Sequence, residues 1–167
     1  MKFVTIAAVA ALISTPALAA DNSAFIGPRI EATVGVTNIT NVRSADDFVY
    51  GGAIGYDLPV GNSVTLGVDV NTSNVFDSNR EIGASARLGY AFTPGTLGYI
   101  RGGYNNYRNY YNVGRNTLRQ DLDGLVVGAG LEHKLNSFTY VKAEYRYSDF
   151  QNNIGDSGVV VGFGFRF

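Results

Sequence analysis

The chain holds a single histidine, His133, which follows Glu132 and precedes Ser137 by four positions. Imidazole, hydroxyl and carboxylate are the parts of acyl-transfer catalysis, in which a base within hydrogen-bond reach activates the nucleophile. On an extended strand, however, Glu132 and His133 project to opposite faces. The competing reading of His133 is a ring placed at a turn, and that reading is preferred. Two glycine clusters, Gly128-Ala129-Gly130 and Gly162-Phe163-Gly164, could suggest a nucleotide loop, but neither is followed by the helix that cradles a phosphate. Asp121 and Asp123 lack the spacing of a calcium loop. Cysteine is absent, so neither a disulfide framework nor a thiolate metal site is possible. No catalytic residue, cofactor or metal is expected.

The remaining chemistry-bearing residues are charged, and they recur at every second position. Arg29 and Glu31, Asp69, Glu81 and Arg87, Arg101, Glu132, Lys142, Glu144 and Arg146, and Arg166 each sit in a segment whose intervening positions are apolar. Alternation of this kind is the mark of a strand with two unlike faces. Eight such segments are read: Gly27–Asn38, Phe48–Tyr56, Ser63–Asn71, Glu81–Phe92, Leu97 to about Asn106, Asp123–His133, Phe138–Asp149 and Val159–Phe167. The last is the clearest, with Val159, Val161, Phe163, Phe165 and Phe167 on one face and Val160, Gly162, Gly164 and Arg166 on the other. No segment after the amino-terminal region shows a helical period.

The connections differ in length. Asp57–Asn62, Thr93–Thr96 and Lys134–Ser137 are tight and carry Pro, Gly or Asn, as compact turns require. The links Ile39–Asp47, Thr72–Arg80, Tyr107–Leu122 and Phe150–Gly158 are longer and polar. Short turns at one rim and long loops at the other are the asymmetry of a bacterial membrane barrel. An even strand count puts both barrel ends on the short-turn side.

Composition bounds the rest. A net charge of −1 argues against a nucleic-acid binder. Mean hydropathy is near zero, which fits a soluble protein and equally a transmembrane barrel, whose alternation averages away. Residues 1–20 read as an export signal: Lys2 as the positive start, Phe3 to Ile13 as the apolar stretch, and Ala17-Leu18-Ala19 as the cleavage pattern. Residues 21–167 then form one barrel, and no second domain is expected.

Alternation alone does not say which face is outside. A soluble ligand-binding barrel turns its apolar set inward, whereas a membrane barrel turns it to lipid. Three features favour lipid. The apolar set carries essentially no charge, and charge at the bilayer midplane costs ~2–4 kcal/mol. The polar set is loaded with glycine, which makes room for long neighbours inside a narrow barrel. Finally, its charges come in both signs, as a closed lumen requires if each buried ion is to find a partner. Eight strands leave an interior just wide enough for side chains to fill, so these charges are expected to plug it.

Three motifs carry a family resemblance. Lys142-Ala143-Glu144-Tyr145-Arg146-Tyr147-Ser148-Asp149-Phe150 resembles the seventh strand of the small outer-membrane β-barrel family that includes the opacity-like and OmpA/OmpX-type proteins. Gly128-Ala129-Gly130-Leu131-Glu132 is similar to its sixth strand, and Val161-Gly162-Phe163-Gly164-Phe165-Arg166-Phe167 to its closing strand. With the export signal, the resemblance covers the whole chain. It implies an eight-stranded up-and-down barrel in a Gram-negative outer membrane. It also implies an assembly signal in Phe163, Phe165 and Phe167, read by the barrel-assembly machinery, and contact with outer-membrane lipid and lipopolysaccharide. In contrast to OmpA proper, no peptidoglycan-binding domain is expected. With no Trp, Tyr and Phe must form the interfacial belts.

Some barrels of this size are lipid A hydrolases with a His/Ser/acid site at the outer surface. An even-numbered strand descends from that surface, which puts His133 at the wrong end. The expected role is structural and surface-interactive, adhesin- or antigen-like, with a narrow ion or solute channel as the alternative and a lipid A-modifying enzyme behind both. The candidate recognition loop is the third long link, with Tyr107, Arg108, Tyr110, Tyr111, Arg115 and Arg119; its Tyr and Asn residues give contact area and adaptable hydrogen bonds. A plain polar extension of the two strands is the simpler reading of the same loop. Its host ligand, if there is one, is not named by the sequence.

Overall fold

The computed structural model describes residues 22–39, 46–75, 79–113, 116–150 and 154–167. The expected export signal, residues 1–20, lies outside them. The eight strands are β1 (Gly27–Ile39), β2 (Asp46–Pro59), β3 (Val64–Val75), β4 (Asn79–Thr93), β5 (Thr96–Val113), β6 (Asn116–Lys134), β7 (Thr139–Phe150) and β8 (Ile154–Arg166). Each pairs antiparallel with the next, and β1 pairs with β8, which closes the barrel. Closure leaves every strand paired on both sides through the wall, the one arrangement in which a sheet can stand in hydrocarbon.

Register follows from the alternation. Val34 on β1 is opposite Tyr50 on β2 and Val161 on β8, so apolar residues stack into continuous outward rows. The outward side chains are open to the surroundings, Val68 at 60% and Leu125 at 65%, while Arg87 at 3% and Glu144 at 1% are enclosed. An apolar band of this extent is untenable in water and at home in lipid. Aromatic residues border it above (Phe48, Tyr50, Tyr104, Tyr145, Tyr147) and below (Tyr56, Tyr90, Phe92, Phe163, Phe165). Between these belts no described residue on the outer face is charged.

Two expectations need correction. The links Thr72–Arg80, Tyr107–Leu122 and Phe150–Gly158 are largely strand: β3 runs on to Val75 and β4 starts at Asn79, while β5 and β6 reach Val113 and Asn116 and β8 starts at Ile154. Beyond the apolar band no lipid demands an apolar face, so alternation fades in the sequence while the hydrogen-bond ladder continues. Likewise Asp57 does not begin a turn. It is a β2 residue opposite Gly27 and Gly67, with its side chain in the lumen.

Candidate functional site: the lumen

Every strand sends a polar or charged side chain to the axis. Asp57 is the hub of the lower lumen. Its Oδ2 accepts from Arg29 Nε at 3.1 Å, Arg87 Nη2 at 2.6 Å and Arg166 Nη2 at 2.9 Å, and its Oδ1 accepts from Arg87 Nε at 2.8 Å. From β6, Glu132 takes Arg166 Nη1 at 2.6 Å and Arg87 Nη1 at 3.2 Å. Three guanidiniums and two carboxylates thus meet with almost no solvent contact. Such pairs must satisfy one another, because neither can find water.

Arg29 carries the network upward, reaching Glu31 at 3.2 Å and Asp69 at 2.7 Å. Glu31 also takes Lys142 Nζ at 2.5 Å and the Tyr140 hydroxyl at 2.9 Å. In the next layer Glu144 accepts from Arg101 at 3.2 Å, Arg146 at 3.1 Å and the Tyr99 hydroxyl at 2.8 Å. Asp69 accepts from Ser85 at 2.7 Å, and Ser85 in turn accepts from Arg101 at 2.8 Å. At the upper rim Glu81 is held by Ser73 Oγ at 2.8 Å and by Asn105.

The sequence reading collects eleven lumen residues, with six cations against five carboxylates. The structure places all eleven on the inward face and adds Asp57, so that six cations meet six carboxylates among the described residues. The signal for Asp57 was parity: Gly55 faces inward, and two positions on, so does Asp57. Tyr140 was missed in the same way, two positions before Lys142. The glycines accommodate this filling. A side chain on Gly55 would crowd the Arg29 guanidinium at 2.9 Å, and one on Gly130 the Tyr99 hydroxyl at 2.6 Å.

The other singled-out residues lie elsewhere. His133 faces outward at the short-turn rim, with Nδ1 3.0 Å from Thr96 Oγ1; Glu132, on the opposite face, is occupied by Arg87 and Arg166. Phe163 and Phe165 stand edge-to-face on the outer wall, 5.3 Å apart, and Phe167 is exposed below them. The third link is a β-ribbon. Its register sets Tyr107 opposite Leu122, Arg108 opposite Asp121, Tyr110 opposite Arg119 and Tyr111 opposite Leu118; Arg115 lies outside the described residues. Beside it β4 pairing stops at Arg108 and β7 pairing at Gly124. Among the described residues, the β5–β6 ladder therefore runs on past those of its neighbours by roughly 17 Å along β5 and roughly 27 Å along β6.

Known proteins agree with this architecture. Neisserial surface protein A superposes with a TM-score of 0.68 at 19% identity, covering 84% of this chain and 97% of that one. Ail, the attachment invasion locus protein of Yersinia pestis, solved in complex with the heparin analogue sucrose octasulfate, gives 0.63 at 14%, covering 85% and 100%. The amino-terminal β-barrel domain of Pseudomonas aeruginosa OprF gives 0.61 at 20%, covering 83% and 97%. In sequence, the 25 kDa outer-membrane immunogenic protein of Brucella ovis is 32% identical over 82 residues, 49% of this chain and 40% of that relative's length. The family model described as outer membrane protein beta-barrel domain matches residues 5–167. With its closed eight-stranded wall and lipid-facing band, the chain belongs to that family and resides in the outer membrane of a Gram-negative bacterium.

Proposed function

We propose that this barrel is a non-conducting, non-catalytic component of the outer membrane that stabilises the envelope and offers its β5–β6 hairpin for surface recognition. The observation that carries the reading is the filled lumen. Arg29, Arg87, Arg101, Lys142, Arg146 and Arg166 are each committed to carboxylates, so an ion in transit must displace partners that have no water to fall back on. The aromatic belts and apolar wall suit packing against lipid and lipopolysaccharide. Three similar proteins bear names that speak of the surface: an immunogenic protein, a surface protein, and an attachment invasion locus protein.

Planar-bilayer recording on the pure refolded chain tests this directly. The expected record is a flat baseline; steady open conductance supports the narrow-channel alternative instead. The catalytic reading has its own check: His133→Ala is expected to leave lipid A composition unchanged, since Glu132 and His133 face opposite ways.

A further inference from the structure

Below the lumen network the chain does something that strand alternation does not account for. Residues Asn22–Phe25 form a single 3-10 turn inside the lower mouth. Phe25 is wholly enclosed, packed with Ala91, Leu97 and Tyr99, and its ring lies 5.9 Å from the Arg166 guanidinium. Asn22 fastens the turn to the β2–β3 connection. Its backbone N–H donates to the Asn62 carbonyl at 2.8 Å, and its Nδ2 donates to the carbonyls of Gly61 at 2.9 Å and Val64 at 2.6 Å. The segment joins the wall at Gly27, whose φ of 108° lies in the left-handed region. A side chain there would strike the Phe167 carbonyl oxygen, so only glycine fits.

The hydrogen bonds of Asn22 and the packing of Phe25 lie outside the strand ladders. Barrel pairing begins at Gly27 itself, opposite Asp57. The segment can therefore leave without unpairing a strand, the kind of local opening that requires far less than global unfolding. We propose that Asn22–Phe25 is a releasable stopper of the periplasmic mouth, hinged at Gly27, whose departure admits water to the Asp57–Arg166–Glu132 cluster while the layers above stay closed. The same aromatic plug excludes water from a cluster whose ion pairs depend on dryness.

The composition makes the test clean, because the chain has no Cys and no Trp. Single cysteines are introduced in the full refolded chain, Ala91→Cys in the socket and Leu135→Cys on the exposed β6–β7 turn as reference. Labelling by a polar maleimide is expected to be slow at position 91 relative to position 135, and to rise roughly tenfold or more when Asn22→Ala or Phe25→Ala is added. Equal rates with and without these changes, in protein that keeps heat-modifiable gel migration, overturn the proposal. Independently, Phe25→Trp supplies a lone indole. Its emission is expected to be shielded from aqueous iodide and to become severalfold more quenchable with Asn22→Ala. An indole already quenched like a free one in the folded barrel overturns the stopper. So does an Asn22→Ala chain that cannot fold, since the segment is then part of the wall and not releasable.

Discussion

The Arg166 Nη2 on β8 donates to the Asp57 Oδ2 on β2 over 2.9 Å, although 109 positions separate the two residues. β1 lies between those strands, so the bond spans the seam where the barrel closes. Asp57 also holds Arg29 from β1 and Arg87 from β4. Removing its charge leaves three guanidiniums sharing one fewer carboxylate in a dry space. Asp57→Asn is therefore expected to destabilise the barrel by about 3–5 kcal/mol, read as a lower urea midpoint for loss of heat-modifiable migration. Pairing it with Arg166→Gln is expected to cost less than the two single changes summed. Strict additivity in that cycle would remove Asp57 from the centre of the network.

The direction of the wall is open to a depth-dependent test. Val68 lies mid-band on β3 and Val60 on the β2–β3 connection, both exposed. Val68→Arg is expected to cost ~2–4 kcal/mol in folding into bilayers and Val60→Arg ~0–1 kcal/mol. Equal costs, or labelling of Arg87 and Glu144 by a bilayer-embedded probe in place of Val68 and Leu125, would turn the sheet inside out.

The closing strand lets folding and delivery be tested apart. The Phe167 ring is exposed, contributing little to the interior. Phe167→Ala is expected to slow insertion severalfold in proteoliposomes carrying assembly machinery, while spontaneous refolding in detergent keeps its rate and yield, since the exposed ring adds little packing. A matching loss in detergent would make Phe167 a stability residue and not a signal.

The β5–β6 hairpin carries Arg108 and Arg119 at register positions opposite Asp121 and Tyr110. Guanidiniums bind sulfate and phosphate through forked hydrogen bonds. Intact barrel is expected to be retained on a phosphocellulose column, with Arg108→Gln plus Arg119→Gln eluting at lower salt. Unchanged elution would leave the hairpin without a polyanion-binding role.

The eight strands, their faces and the charged lumen could be read from the chain because one physical constraint repeats in each: apolar to lipid, polar to the axis, period two. The failures occur where that constraint stops acting. Asp57 reads as a turn residue because Leu58-Pro59-Val60-Gly61-Asn62 follows at once, and turn composition outweighs parity. The upper halves of β5 and β6 read as a loop in the sequence because strands beyond the lipid need no apolar face. Asn22–Phe25 left no trace at all. One phenylalanine in a short polar stretch has no period, and its socket is assembled from β4 and β5, more than sixty positions away.

Seven of the eight pairings join neighbours in sequence, and each can zip from a local turn. The eighth, β1 with β8, must close a loop of more than a hundred residues. The entropic barrier to making the cylinder is therefore concentrated in one late event. Until it occurs, Arg29, Gly27 and the Phe25 socket have no completed surroundings. A nascent barrel should thus behave as an open curved sheet with two sticky edges, and whatever guards those edges in the periplasm governs its survival.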